Sequence, residues 1–189
     1  MNESKDVSPL NSLTGMAVVA LTTGNRLGQV QDLFIDPVNG ILIGLTLTAP
    51  DGGLMGLPYD EIYSFGNDAI MAHADESIRP LDVTEFADGR HAKTLFGTKI
   101  ITESGNVLGQ ITNIYVTLNP PPFVLYELRQ SILDKLLGRE FFIPASAAHA
   151  LSDDSERLIV SDVTAEAAAS DLTQLVDETV RAYLYAALR

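Results

Sequence analysis

The three histidines are the residues best suited to acid–base or metal chemistry near neutral pH. His73, His91 and His149 lie far apart in the sequence, and none belongs to a motif with the spacing of a zinc site. The chain contains no cysteine, which excludes disulfides, thiolate nucleophiles and cysteine-bound metals. These residues predict neither a metal site nor another cofactor.

Other catalytic patterns are equally weak. The sequence has no G-x-x-x-x-G-K-[ST] phosphate loop and no G-x-S-x-G nucleophile elbow. Adjacent acids such as Asp60-Glu61 point apart in a strand or helix, so they make a poor acid–base pair. Asp32, Asp36 and Asn39 could bind a hard cation if their oxygens converge, although a turn already explains Asp36 and Asn39. We therefore expect a protein that is not an enzyme.

Composition and charge disfavour two classes of function, direct nucleic-acid binding and membrane insertion. The chain has 189 residues, 46% of them apolar, which suits one large globular domain or two small ones. Its formal net charge of −13 repels phosphate backbones and anionic membrane surfaces, which disfavours direct binding of nucleic acid. The sequence has no apolar run long enough to span a bilayer, and its start, MNESKDVSPLNS, does not resemble a signal peptide. A cytoplasmic protein without membrane insertion is expected.

An internal repeat is the most informative feature. The segment GNRLGQV, residues 24–30, recurs as GNVLGQI, residues 105–111, with five of seven positions identical. Leu13 and Gly15 likewise recur as Leu95 and Gly97. Farther along, GLPYDEI, residues 56–62, corresponds to FIPASAA, residues 142–148, so the second copy carries five extra residues between these landmarks. The chain is predicted to contain two copies of one structural unit.

Each copy reads as a series of short β-strands. Apolar residues alternate or cluster in runs rich in valine, isoleucine and leucine, which favours strands over helices. Hairpin turns are predicted at 22–25 and 36–40, and a final hairpin turns at 66–68 in the first copy and at 152–155 in the second. Gly28 and Gly109 interrupt strand patterns, where glycine marks a bulge or a close approach of the backbone. Such bends suit a small barrel.

These residues resemble the PRC-barrel family. The resemblance lies in LTGMAVVALTTGNRLGQVQDLFIDPVNGILIGLTL followed by GLPYDEIYSFGNDAIMA, and again in LFGTKIITESGNVLGQITNIYVTL followed by REFFIPASAAHAL. It implies a small β-barrel that serves as a scaffold for partners, as in the cytoplasmic part of the photosynthetic reaction-centre H subunit and in the ribosome maturation factor. The expected fold is mainly β, with two tandem PRC-like barrels, an inserted helix in the second and a C-terminal α-helix.

The second copy departs from the repeat in its middle. Pro120, Pro121 and Pro122 stiffen a loop, and a helix is predicted after Ser131, ending near Gly138. This helix either plugs one end of the second barrel, or the neighbouring loop forms a docking surface for a partner protein. The residues of that candidate surface are Pro120, Pro121, Pro122, Phe123 and Tyr126.

The C-terminal segment is predicted to be an amphipathic helix from Asp171 onward, with Ser170 as its N-cap. Its apolar stripe either packs back on a barrel or pairs with a second subunit or a partner, so a homo-oligomer through this helix stays open. Tyr185 lies off the stripe and joins the candidate partner-binding residues.

The expected domains are an N-terminal tail (1–12), a first PRC-like barrel (13–81), a linker (82–93), a second barrel with the inserted helix (94–165) and the C-terminal helix (166–189). The leading hypothesis is a scaffold or adaptor that binds a partner protein, associated with a photosynthetic or other membrane complex. One alternative is a ribosome-assembly factor that contacts ribosomal protein. Another is a small-molecule or enzymatic site between the barrels, which a cluster of Asp88, Arg90 and His91 would favour.

Overall fold

The fold is mainly β and contains two seven-stranded sheets. The computed structural model describes residues 7–81, 86, 89–117, 122–130, 141–163, 168 and 170–177. The strands in chain order are β1 (Val7–Pro9), β2 (Ala17–Ala20), β3 (Arg26–Asp36), β4 (Ile41–Thr48), β5 (Leu54–Pro58), β6 (Ile62–Phe65), β7 (Ala69–Ala72), β8 (Arg90–His91), β9 (Lys99–Thr102), β10 (Val107–Thr117), β11 (Val124–Arg129), β12 (Phe141–Pro144), β13 (Ala148–Leu151) and β14 (Arg157–Val160). The helical elements are α1 (Leu10–Leu13), the 3₁₀ turns Tyr59–Glu61, Asp75–Ser77, Ala92–Leu95 and Ala145–Ala147, and α2 (172–177).

The two sheets share one strand order. The first sheet runs β5-β4-β3-β2-β7-β6 and the second runs β12-β11-β10-β9-β14-β13. Strands β2 and β7 pair in parallel, as do β9 and β14, whereas the other pairs along each path are antiparallel. The repeat predicted from the sequence is therefore present in the topology.

The seventh strand of each sheet comes from the other half of the chain. Strand β1 precedes the first copy but pairs with β10 of the second sheet, where Pro9 lies opposite Tyr115. Strand β8 precedes the second copy but pairs with β3 of the first sheet, where His91 lies opposite Phe34. Both strands thus occupy equivalent places, and the two halves exchange strands reciprocally.

The exchanged strands lie in the two segments that were predicted as a tail, 1–12, and as a linker, 82–93. The first segment contains the strand Val7–Pro9 and most of the helix Leu10–Leu13, and its Leu10 is buried. The second contains the strand Arg90–His91 and the start of the 3₁₀ turn Ala92–Leu95, and its Ala92 is buried. These short segments are ordered by pairing with a distant strand, so local sequence carries little signal for them.

Two recurrent glycines occupy the same turn in each half. Gly15 and Gly97 have φ values of 87° and 86°, a backbone conformation that residues other than glycine rarely adopt. Each turn lets the glycine N–H donate to the long central strand, Gly15 to the carbonyl of Val30 and Gly97 to that of Ile111, at 2.8 and 2.9 Å. The glycines recur because this backbone geometry recurs.

The hairpin turn between β3 and β4 packs directly on the second sheet. The N–H of Val124 donates to the carbonyl of Gly40 at 3.0 Å, and Ile41 forms a bridge with Phe123. The hydroxyl of Tyr126 donates to the carbonyl of Pro37 at 3.3 Å. A single cluster of buried apolar side chains, with members from both sheets, continues across this contact.

One edge of the first sheet is covered by the chain that follows β7. Arg79 and Gly56 exchange two backbone hydrogen bonds, of 2.6 and 2.8 Å, on the outer side of β5. The guanidinium of Arg79 donates to the carboxylate of Glu61 at 2.6 Å, and the hydroxyl of Ser77 donates to the other oxygen of that carboxylate at 2.8 Å. Because Glu61 directly precedes β6, this network links the two ends of the sheet path.

The start of the C-terminal helix packs on the second sheet. Leu175 and Val176 of α2 join Leu125 and Phe142 in a small buried cluster. The N-cap is Asp171, whose carboxylate accepts the N–H groups of the next turn at 2.8 and 3.2 Å, whereas Ser170 was predicted in that role. The predicted inserted helix and the rest of the C-terminal helix lie outside the described residues. Within the described part of the chain, no helix has the length and apolarity needed to cross a membrane.

Candidate functional site

Two of the residues predicted to form a docking loop are internal. Tyr126 is 0% exposed and Phe123 is 8% exposed, because both pack at the contact between the two sheets. Neither side chain is therefore presented to a partner, which corrects the prediction for these two residues. Pro122 is half-buried, and its carbonyl accepts the N–H of Leu42 at 3.5 Å. Pro120, Pro121 and Tyr185 lie outside the described residues.

The strongest polar cluster surrounds Asp32, on β3 at a bulge opposite β4. Asp32 is only 6% exposed. One carboxylate oxygen accepts the N–H of Leu33 at 2.8 Å, and the other accepts the N–H of Lys93 at 3.2 Å. The Nδ1 atom of His91 lies 3.8 Å from the second oxygen and 3.4 Å from the hydroxyl of Thr46.

Burial raises the pKa of Asp32, although the two backbone N–H groups and the nearby Lys93 and His91 oppose this effect. A raised pKa near a histidine is one mark of a catalytic site. Here, however, Asp32 and Thr46 approach the same imidazole nitrogen, whereas a nucleophile–base–acid relay needs them on opposite nitrogens. The geometry instead suits a structural role, since Asp32 holds the backbone that follows the exchanged strand β8.

The second sheet has a related arrangement at the equivalent place. Asn113 also lies at a bulge, and its side-chain oxygen accepts the N–H of Ile114 at 3.0 Å. Opposite it, Glu127 is 6% exposed and accepts hydrogen bonds from the hydroxyls of Thr112 and Tyr115, both at 3.1 Å. Tyr115 is one of the three residues of β10 that pair with the exchanged strand β1. Each exchanged strand therefore lies next to a buried acid.

The other predicted chemical groups do not converge. Asp36 accepts hydrogen bonds from Val38 and Asn39 within its turn, and the described residues contain no group of three or more ligands placed to hold a metal ion. The guanidinium of Arg90 donates to the carbonyl of Gly89 at 2.9 Å. Asp88, the third member of the predicted cluster around His91, lies outside the described residues.

A pocket of about 390 Å³ lies beside the second sheet, between the turn after Thr94 and the turn before Arg157. Its lining residues are Thr94, Phe96, Gly97, Thr98, Lys99, Asp154, Ser155, Glu156 and Arg157. The charged group of Arg157 is paired with Asp154 at 3.1 Å. All the lining residues belong to the second half, so this pocket is not the inter-barrel cleft considered from the sequence.

Sequence reasoning missed a surface of the first sheet on which β2, β6 and β7 leave apolar side chains accessible. Leu21 is 47% exposed and Tyr63 is 57% exposed. The ring of Tyr63 contacts that of His73 edge to face, with 5.6 Å between centroids. The available signal was the comparison of the two copies, because Leu21 and Tyr63 align with the polar residues Glu103 and His149.

The chain was compared with protein families and with curated proteins. No curated protein matches it significantly. The family model for the PRC-barrel domain matches residues 5–79. This range ends at Arg79, which covers the edge of the first sheet, and it includes β1 to β7. The resemblance drawn from the sequence is therefore confirmed for the first half of the chain, where residues 5–79 match the PRC-barrel family model.

Proposed function

We propose that this protein is a non-enzymatic scaffold that binds a partner protein through the outer surface of its sheets. The observation that carries this proposal is the exposure of large apolar side chains on the first sheet, where Leu21 is 47% exposed and Tyr63 is 57% exposed. Accessible apolar surface of this kind marks interaction sites when it is contiguous. At His91, Asp32 and Thr46 approach the same imidazole nitrogen, an arrangement that suits a structural role.

The proposal includes two PRC barrels in tandem. The common strand order of the two sheets supports a common fold, and the link from Arg79 to Glu61 supports closure of the first sheet. In such an arrangement the interior is occupied by packed side chains, and only the outer surfaces remain for binding. Association with a photosynthetic or other membrane complex, a ribosome-assembly role, a cytoplasmic location and a homo-oligomer through the C-terminal helix stay predictions.

Affinity capture combined with cross-linking tests the scaffold hypothesis. The full chain is incubated with lysate at low salt and treated with a reagent that couples carboxylates to lysines, since the chain offers 25 acidic residues. Cross-linked peptides are then identified by mass spectrometry, for the full chain and for a variant lacking 170–189. A reproducible partner cross-linked to the first half supports the proposal. Recovery of no partner with either form would refute it.

A further inference from the structure

The two halves have similar interiors but different outer faces. Strands β2 and β7 alternate half-buried and buried residues, and the buried ones point into the core. Val19 and Met71 lie opposite each other on the outer side, with Ala17 and Ala69 next to them. We define the outer face as Ala17, Val19, Leu21, Tyr63, Ala69 and Met71, with the exposed Ser64 opposite Met71.

At the equivalent positions of the second sheet, the residues on either side of the central pair are charged. Ile101 and Ile159 replace the central pair, but Lys99 and Arg157 lie opposite each other where the first sheet has two alanines. The residue after β2 is Leu21, whose N–H donates to Ala72, and its counterpart Glu103 donates in the same way to Val160.

The bulge residue of the edge strand is aromatic in the first sheet and a histidine in the second. Tyr63 lies at the irregularity between Ile62 and Ser64, and His149 lies at the corresponding irregularity of β13. In the second sheet the Nε2 atom of His149 lies 3.1 Å from a carboxylate oxygen of Glu103. The first sheet thus presents leucine and tyrosine at the two positions where the second sheet has a contacting pair of polar side chains.

Acidic residues surround the outer face of the first sheet. Asp60 precedes β6, Asp68 lies in the turn between β6 and β7, and Asp75 and Glu76 follow β7. All of these except the half-buried Asp75 are exposed. The one base on the neighbouring strand is Arg26, opposite Val19. A second copy of this chain, at −13, would meet electrostatic repulsion here, whereas a basic segment would be attracted.

We propose that the outer face of the first sheet docks a protein segment that presents apolar side chains flanked by lysine or arginine. This inference rests on the proposed scaffold function and names the chemistry of its partner. The apolar centre supplies burial, and the acidic rim selects the sign of the partner's charge and speeds encounter. At the equivalent described positions, the second sheet surrounds its two isoleucines with Lys99, Glu103 and Arg157.

The test uses the full chain, labelled at its methyl groups, and a short capped peptide alternating lysine and leucine. NMR titration should shift the methyl signals of Val19, Leu21 and Met71, and raising the salt concentration should weaken binding. A glutamate–leucine peptide of the same length should leave these signals unchanged. Equal shifts with the acidic peptide, equal shifts at Ile101 and Ile159, or no shifts at all would overturn the inference.

The matched variant is Leu21→Glu combined with Tyr63→His. It copies the pair that the second sheet already carries, so it is compatible with this fold. The peptide should bind about tenfold more weakly to this variant, equivalent to about 1.4 kcal/mol. The control is Val107→Glu, which alters a 62% exposed residue of the second sheet and should leave binding unchanged. Loss with the control but not with the double variant would also overturn the inference.

The outcomes separate this inference from the scaffold function on which it rests. If affinity capture yields a partner whose cross-links map elsewhere and whose binding survives the double variant, the scaffold function stands and the proposed docking face is wrong. If capture yields no partner, the scaffold function fails independently of the peptide titration.

Discussion

Truncation of Tyr126 should destabilise both halves of the molecule, not only the second sheet to which it belongs. Its side chain is fully buried, and its hydroxyl donates to the carbonyl of Pro37 in the first half. Removing the hydroxyl alone, by Tyr126→Phe, should cost about 1 kcal/mol, because the carbonyl of Pro37 loses its partner in a buried place. Tyr126→Ala should cost about 3–5 kcal/mol, since it also leaves a cavity in the shared core.

Urea unfolding followed by circular dichroism measures the total change, and hydrogen exchange with mass spectrometry locates it. Peptides from β3 and β11 should lose protection at the same urea concentration, and both should shift together in the Tyr126→Ala variant. The matched control is Tyr63→Phe, an exposed tyrosine whose loss of hydroxyl should change stability by less than about 0.5 kcal/mol. A β3 peptide that keeps its wild-type midpoint while the β11 peptide shifts would refute the claim that the halves fold as one unit.

Three further substitutions test individual contacts. Burial raises the pKa of Asp32, so the folded state keeps this proton to a higher pH than the unfolded state does. The free energy of unfolding should therefore fall as pH rises from the usual aspartate pKa through the raised one. When urea midpoints are measured across this pH range, Asp32→Asn should flatten that fall. Gly40→Ala should cost more than Gly52→Ala in thermal unfolding, because both residues have positive φ but only at Gly40 would a new Cβ overlap the backbone of the second half; equal costs would contradict the close approach. Hydrogen bonds from Thr23 and Asn25 lower the pKa of Asp75. The stabilisation that Asp75 provides is therefore present above the usual aspartate pKa and is lost as pH falls through the lowered value. Over that fall in pH, amide exchange in the turn that contains Thr23 and Asn25 should accelerate in the wild type but not in Asp75→Asn.

The repeating parts of the fold could be predicted because their signals are local. Gly15 and Gly97 recur since one turn demands positive φ, and the predicted hairpin turns at 22–25 and 36–40 connect the strands expected. The docking loop was misplaced because burial is a tertiary property. From the sequence, Tyr126 was interpreted as an exposed aromatic residue after a proline run. In the structure it lies opposite Ile114 and Ile143 within the second sheet, which buries its side chain.

The exchanged strands show a different limit. Val7–Pro9 and Arg90–His91 are too short for their composition to specify pairing, and each is ordered by a strand from the other half. Their equivalence becomes visible only when the sheets are compared. The outer face was missed for a related reason, since the exposure of Leu21 and Tyr63 depends on which side of a twisted sheet they occupy.

Reciprocal exchange explains why the interior and the exterior of the two copies have diverged so differently. Each half supplies a strand to the other, and the carbonyl of Gly40 accepts the N–H of Val124 across the contact. A substitution in the interior of one half therefore alters the packing of both halves. The outer positions carry no such constraint. Glu103 and His149 contact each other on the second surface, whereas Leu21 and Tyr63 leave the first surface apolar, and none of these four residues belongs to the shared core. If the first sheet binds a partner as proposed, duplication and strand exchange let one half specialise for binding while the other keeps polar side chains at the equivalent positions.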